Sequence, residues 1–151
     1  MLSLRKLKNQ GFTIVELLIV IVVIGILATL VITTYNGVQS KARDTKRKTD
    51  INAIQGQVEA YNTNTGHYPS LADVNSSAFR TANMKGLDPS ALQDPQGSAQ
   101  TLVSAPAAKS YAFQPVNSSG TSCESDDTTC VSYTLTATLE GGGTYVKTGS
   151  D

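Results

Sequence analysis

"GFTIVELLIVIVVIGILATLVI", residues 11–32, decides how this chain is read. From Phe12 to Ile32 the only charge is Glu16, and the run is long enough to cross a hydrocarbon layer of ~30 Å as a helix. β-branched residues dominate it. In lipid, however, the backbone has no other way to satisfy its own hydrogen bonds, so helix prevails over propensity. A carboxylate in such a run costs several kcal/mol on most scales and is kept mainly when it is paired or has a functional partner.

The flanks offer three readings. Arg5, Lys6 and Lys8 precede the run, as in a secretory signal peptide. Cleavage there needs an A-x-A-like pair of small residues, and Ile26 and Ala28 supply only one. No cysteine follows the run, which excludes a lipoprotein anchor. A plain transmembrane anchor gives no reason for Glu16. The third reading is a cut between Gly11 and Phe12. It frees an ammonium group at Phe12, four residues before Glu16 and on the same helical face. A neighbouring molecule's Phe12 amine can meet this Glu16 equally well if helices pack with an axial offset, so that the charge fixes register.

Beyond the run, Ile51, Ile54, Val58 and Tyr61 recur at helical spacing on an otherwise polar stretch, one apolar stripe of an amphipathic helix. Gly66 and Pro69 in "NTNTGHYP" end it. The expected helix therefore runs from Phe12 to about Asn64, with "YNG" at 35–37 as its weakest point and Gly25 and Gly56 as lesser ones. Residues 67–109 read as a connecting region, with short turns over "SSAFRTAN" and after Asp88-Pro89. "SYAFQPV" and "VSYTLTATL" read as strands, the second with Val131, Tyr133, Leu135, Ala137 and Leu139 on one face. "EGGG" turns the chain into "TYVK". The sheet has three or four antiparallel strands, and its greasy face is covered by the helical stripe.

Residues 1–50 hold eight basic and three acidic side chains, and residues 51–151 hold four and nine. An acidic body argues against a nucleic-acid-binding domain, which would be expected to show a basic face, and the body has no readable motif that decides for or against contact with DNA. Cys123 and Cys130 enclose "ESDDTT" and point to a disulfide made in an oxidising, extracytoplasmic compartment; free thiols or half a metal site are the alternatives. His67, the sole histidine, reads as a solvated loop residue, and no constellation of residues resembles an active site.

"KNQGFTIVELLIVIVVIGILA" resembles the processing and assembly segment of type IV prepilins and type II secretion pseudopilins. The matching features are a short basic leader ending in Gly11, the Phe12-Thr13 start, Glu16 at the fifth mature position, and an apolar helix. "ARDTKRKTDINAIQGQVEAYNTNTGHYP" is similar, more weakly, to the second helical half and Tyr-Pro turn of major pseudopilins. The resemblance implies an α+β pilin fold laid out as leader 1–11, transmembrane or filament-core helix 12–35, amphipathic helix 36–66, connecting loop 67–109 and disulfide-bearing sheet 110–151. It implies a prepilin peptidase that cuts after Gly11 and methylates Phe12. A cytoplasmic ATPase and membrane platform proteins would then drive assembly of the subunit into a helical filament. The subunit waits in the cytoplasmic membrane and ends in a surface or periplasmic filament. Pili, secretion pseudopili and DNA-uptake filaments share this segment. Major pseudopilins bind calcium near the C-terminal sheet. Here Glu124, Asp126 and Asp127 could offer oxygen ligands, Asp126 and Asp127 foremost, although "ESDDTT" lacks EF-hand spacing and reads first as a solvated turn.

This chain departs from the family at Thr33, where pilins usually carry a helix-kinking proline; Gly25 and the β-branched run are the remaining soft points. The five basic residues of "KARDTKRK" (41–48) outnumber the three of the leader, so charge alone does not orient the segment. The cluster is expected to face outward, toward acidic patches of neighbouring subunits or toward lipid headgroups. The alternative to a filament subunit is a monomeric, membrane-anchored extracytoplasmic binding module.

Overall fold

A computed structural model describes residues 11–125 and 127–150, without the side chains of Thr33 and Ser150. Leader residues 1–10 and Asp126, on which earlier expectations fall, lie outside that range. Helix α1 spans Ile14–Thr65 and passes through Tyr35–Gly37 as helix, so the expected break is not made there. Two compact units divide the chain after Gln39.

The first unit is the N-terminal part of α1. Its large apolar side chains are all exposed, and Val23, the least so, is still 47% accessible. This segment is long and apolar enough to cross a membrane.

The second unit is an α+β body. The stripe residues Ile51, Ile54 and Val58 of α1 are fully buried with Tyr111, Phe113, Tyr133 and Leu135, each contributing on the order of 1.5–3 kcal/mol. Tyr61 lies at the edge of this cluster, its ring 5.5 Å from His67 and 5.2 Å from Phe79. His67 is thus half-buried against an aromatic ring rather than a fully solvated loop residue. Gly66 ends the helix in the left-handed region (φ +79°), donating its N–H to the Asn62 carbonyl at 2.7 Å.

Helices α2 (Leu71–Asn75) and α3 (Ser77–Asn83) and a 3-10 turn (Pro89–Leu92) follow. Helix α2 was not expected. Its start is a reciprocal box in which the Ser70 hydroxyl accepts from the Asp73 amide and Asp73 accepts from the Ser70 amide. Asp88 caps the 3-10 turn by accepting from the Ser90 amide at 2.8 Å.

Strands β1 (Tyr111–Asn117), β2 (Cys130–Thr138) and β3 (Thr144–Ser150) form one antiparallel sheet in the order β1-β2-β3. Pro115 is tolerated because β1 is an edge strand, partly covered by Val103, which bonds to Tyr111 and Phe113 at 2.9 Å. The core face differs from expectation at one end. Val116 pairs with Ser132 and Asn117 with Cys130, so Val131 is the extra residue of a bulge. Alternation slips by one, Cys130 turns inward, and Val131 is left 36% exposed. The other face is not wholly open either, since the paired Ala112 and Thr136 are both buried. The β2–β3 hairpin closes with Leu139 donating to the Gly143 carbonyl at 3.0 Å, and Gly142 (φ +97°) and Gly143 (φ +78°) take conformations that L side chains rarely adopt.

Gly149 of β3 lies opposite Tyr133. A Cβ there would overlap the Tyr133 ring and come within 2.7 Å of Glu59 Oε1 and 2.8 Å of the Tyr68 hydroxyl. Gly149→Ala should therefore destabilise the body by about 1–3 kcal/mol through overpacking. Thermal unfolding of the full chain in detergent, followed by circular dichroism, should show a lowered midpoint; an unchanged midpoint would contradict this packing.

Candidate functional site

Helix α1 begins with a capping box. Glu16 Oε2 accepts from the Thr13 amide at 2.9 Å and the Thr13 hydroxyl at 2.6 Å, and the Glu16 amide donates to Thr13 Oγ1 at 3.2 Å. The signature, Thr13-x-x-Glu16, is local and legible in the sequence. Both hydrogen bonds to the carboxylate fall on Oε2. Phe12 is exposed and, still joined to Gly11, presents a neutral amide rather than an ammonium group.

A second charged cluster sits on the body. Arg47, one turn before Ile51 on the buried stripe, is only 1% exposed. Its guanidinium donates to both Asp94 carboxylate oxygens, at 2.6 and 3.0 Å, and Asp94 is itself 2% exposed. Its Nη1 also donates to Asp44 at 2.8 Å and Glu140 at 2.7 Å. Arg43 grips the same Glu140 through two bonds, at 2.7 and 2.6 Å. Asp44 in turn accepts from the amides of Glu140 and Gly141, each at 2.9 Å. One helical segment thereby holds both the loop at Asp94 and the β2–β3 hairpin. Lys46 bonds to Asp50, which also accepts from the Tyr111 hydroxyl at 2.9 Å. The expectation that this basic cluster faces outward is corrected for Arg47, which is buried, and for Arg43, which is half-buried; both pair with carboxylates of their own chain, while Lys46 pairs with Asp50 and stays exposed.

Hydrogen bonds from Arg43 and Arg47 hold the Glu140 carboxyl down at about 2. Asp44 is also lowered: burial alone would raise it, but the bonds from the two hairpin amides and Arg47 outweigh that.

Cys123 and Cys130 are joined as a disulfide with Cα atoms 5.9 Å apart, so neither sulfur is a free thiol or metal ligand. Asp127 Oδ1 accepts from the Thr129 amide at 2.8 Å and hydroxyl at 2.6 Å, a hydrogen-bonded acidic turn. Glu59 accepts from the Tyr133 hydroxyl at 2.6 Å and the Tyr68 hydroxyl at 3.2 Å.

Residues 6–32 match the model of the prokaryotic N-terminal methylation motif. The type II secretion system core protein G of Escherichia coli K12 is 40% identical over 63 residues, covering 42% of this chain and 43% of that protein. That of Aeromonas hydrophila is 36% identical over 67 residues, covering 44% and 47%. Through this N-terminal part, the chain is similar to these secretion-system proteins and carries the N-terminal methylation motif. The chain spans less than half the length of these curated relatives. No solved structure matches.

In this pilin-like chain Gly11, Phe12 and Glu16 lie in the exposed first unit, whereas the disulfide and the arginine clamp belong to the body. Arg47→Met should destabilise the chain by about 3–5 kcal/mol, because it leaves Asp94 as a buried, uncompensated anion. Arg47→Met combined with Asp94→Asn should recover part of that loss, as measured by urea unfolding in detergent; equal losses in the two variants would contradict the clamp. The clamp also sets an acid limit. Glu140 is depressed from an ordinary 4.5 to about 2, so its stabilisation is complete above pH ~4.5 and is lost as pH falls toward 2. A Glu140→Gln chain should have a flatter unfolding midpoint than wild type across that window.

Proposed function

We propose that the mature protein is a structural, non-enzymatic subunit of a type IV pilus or secretion pseudopilus. The observation that carries this reading is Glu16, the single charge in an exposed apolar helix directly behind the Gly11-Phe12 junction. A prepilin peptidase cuts that junction and methylates the new Phe12 amine, which remains a cation. Thr13 is retained after the cut, so the capping box survives in the mature chain. The charge-assisted hydrogen bonds from Thr13 offset part of the cost of holding Glu16 in lipid. The positive end of the helix also favours the carboxylate. Among the described residues Oε1 accepts no hydrogen bond, and this oxygen receives the Phe12 ammonium of an adjoining subunit. The pairing fixes the axial offset between neighbouring helices. Assembly ATPase and membrane platform proteins supply the work of extraction, and the subunit moves from the cytoplasmic membrane into a surface or periplasmic filament. The naming of the relatives as type II secretion system core proteins favours the pseudopilus among filaments that share this segment.

Coexpression with a prepilin peptidase and intact-mass measurement should show a chain that begins at Phe12 and carries one added methyl group. Glu16→Val should insert into the membrane and be cut, yet yield no filaments on shearing and electron microscopy. Filaments built from uncut chains, or from Glu16→Val at wild-type yield, would leave only the membrane-anchored monomer.

A further inference from the structure

The body carries a groove of about 530 Å³ between α3 and the 3-10 turn. Buried Met84 and Leu87 and the ring of Pro89 give it an apolar lining, while Arg80 and Lys85 bring it two cations. Only four basic residues follow residue 50, so half of them converge here on an otherwise acidic body. Arg80 is pinned by donating Nη1 to the Val74 carbonyl at 2.6 Å. Its Nε is enclosed and has no hydrogen-bond partner among the described residues. The part of Arg80 that stays accessible and the exposed Lys85 ammonium can meet an incoming carboxylate at the groove with charge-assisted bonds.

The charge bookkeeping of the body identifies the occupant. Asp44, Asp50, Asp94 and Glu140 are held in ion pairs by basic residues of α1. Glu59 is bonded to tyrosine hydroxyls, and Asp73 to Ser70 and Ser125. Asp88 caps the 3-10 turn. The carboxylates left over among the described residues are Glu124, which is exposed, and Asp127, whose Oδ2 accepts no bond. Both lie in the loop closed by the Cys123–Cys130 disulfide, a cross-link that limits the freedom lost on docking. Within one subunit no ion pair joins these two acids to Arg80 or Lys85.

We infer that the groove is a subunit–subunit contact: Glu124 and Asp127 of one copy dock against Arg80 and Lys85 of the next. This rests on the filament reading above and adds to it a second, polar contact made by the bodies.

The test treats wild-type filaments with a carbodiimide, which joins an amine to a carboxylate at zero length. Peptides from the dimer band should contain Lys85 linked to Glu124 or Asp127. Arg80→Glu combined with Lys85→Glu should lower sheared filament yield at least about tenfold, because it places like charges in contact, while leaving cleavage and membrane level unchanged. Adding Glu124→Lys and Asp127→Lys should restore the yield. A dimer band in which Lys85 is unlinked, linked to another carboxylate or linked to a different protein overturns the contact, as does undiminished yield from the charge-reversed chain. The cross-link is read on wild-type protein and so does not depend on the variants folding. If wild-type chains form no filaments, the filament reading fails and the contact with it. If they form filaments that ignore the reversal, the contact alone fails.

Discussion

The body is organised around a guanidinium where hydrocarbon would be expected. Arg47 continues the stripe of Ile51, Ile54 and Val58 by one turn, and an apolar residue there would simply have extended the core. Arginine instead requires partners, since a buried charge is tolerated only when it is paired and fully hydrogen-bonded. Asp94 arrives from the connecting loop and Glu140 from the β2–β3 hairpin, while Asp44 lies one turn back on the helix itself. Asp94 and Glu140 come from segments distant in sequence, so the pairing specifies which loop and which hairpin lie against the helix. An apolar contact would be less selective about that arrangement.

The two units resolve the same difficulty differently. In the body, Arg47 is neutralised inside one chain by carboxylates that folding brings to it. In the apolar segment, Glu16 receives only hydrogen bonds from Thr13, and no cation of the described residues pairs with it. One charge is satisfied by the fold. The other is left incompletely compensated, which is the condition under which a neighbouring molecule can add something.

Much of this was legible in the sequence, for identifiable reasons. The apolar run, the stripe and its end at Gly66 rest on local periodicity and backbone conformation, which few residues determine. The β2 strand and the glycine hairpin were equally plain. What was not legible was long-range. Nothing local distinguishes Arg47 from Lys48, yet one is enclosed by residues 47 and 93 positions away and the other is exposed. The outward-facing reading of "KARDTKRK" failed at Arg43 and Arg47 for that reason, while Lys41, Lys46 and Lys48 are exposed. The Val131 bulge was hidden as well, because strict alternation through "VSYTLTATL" gives no sign of where pairing with β1 slips. The two capping boxes are a different case: Thr13-x-x-Glu16 and Ser70-x-x-Asp73 follow a known local signature and were available to be read.

The Val131 bulge reaches beyond sheet geometry. By rotating Cys130 inward it leaves that residue wholly inaccessible, with Cys123 only 8% accessible beside it. Thiol–disulfide exchange requires an attacking thiolate to reach a sulfur. An irregularity of one residue in the backbone ladder thus becomes chemical durability, a cross-link shielded from environmental reductants for as long as the sheet stays closed.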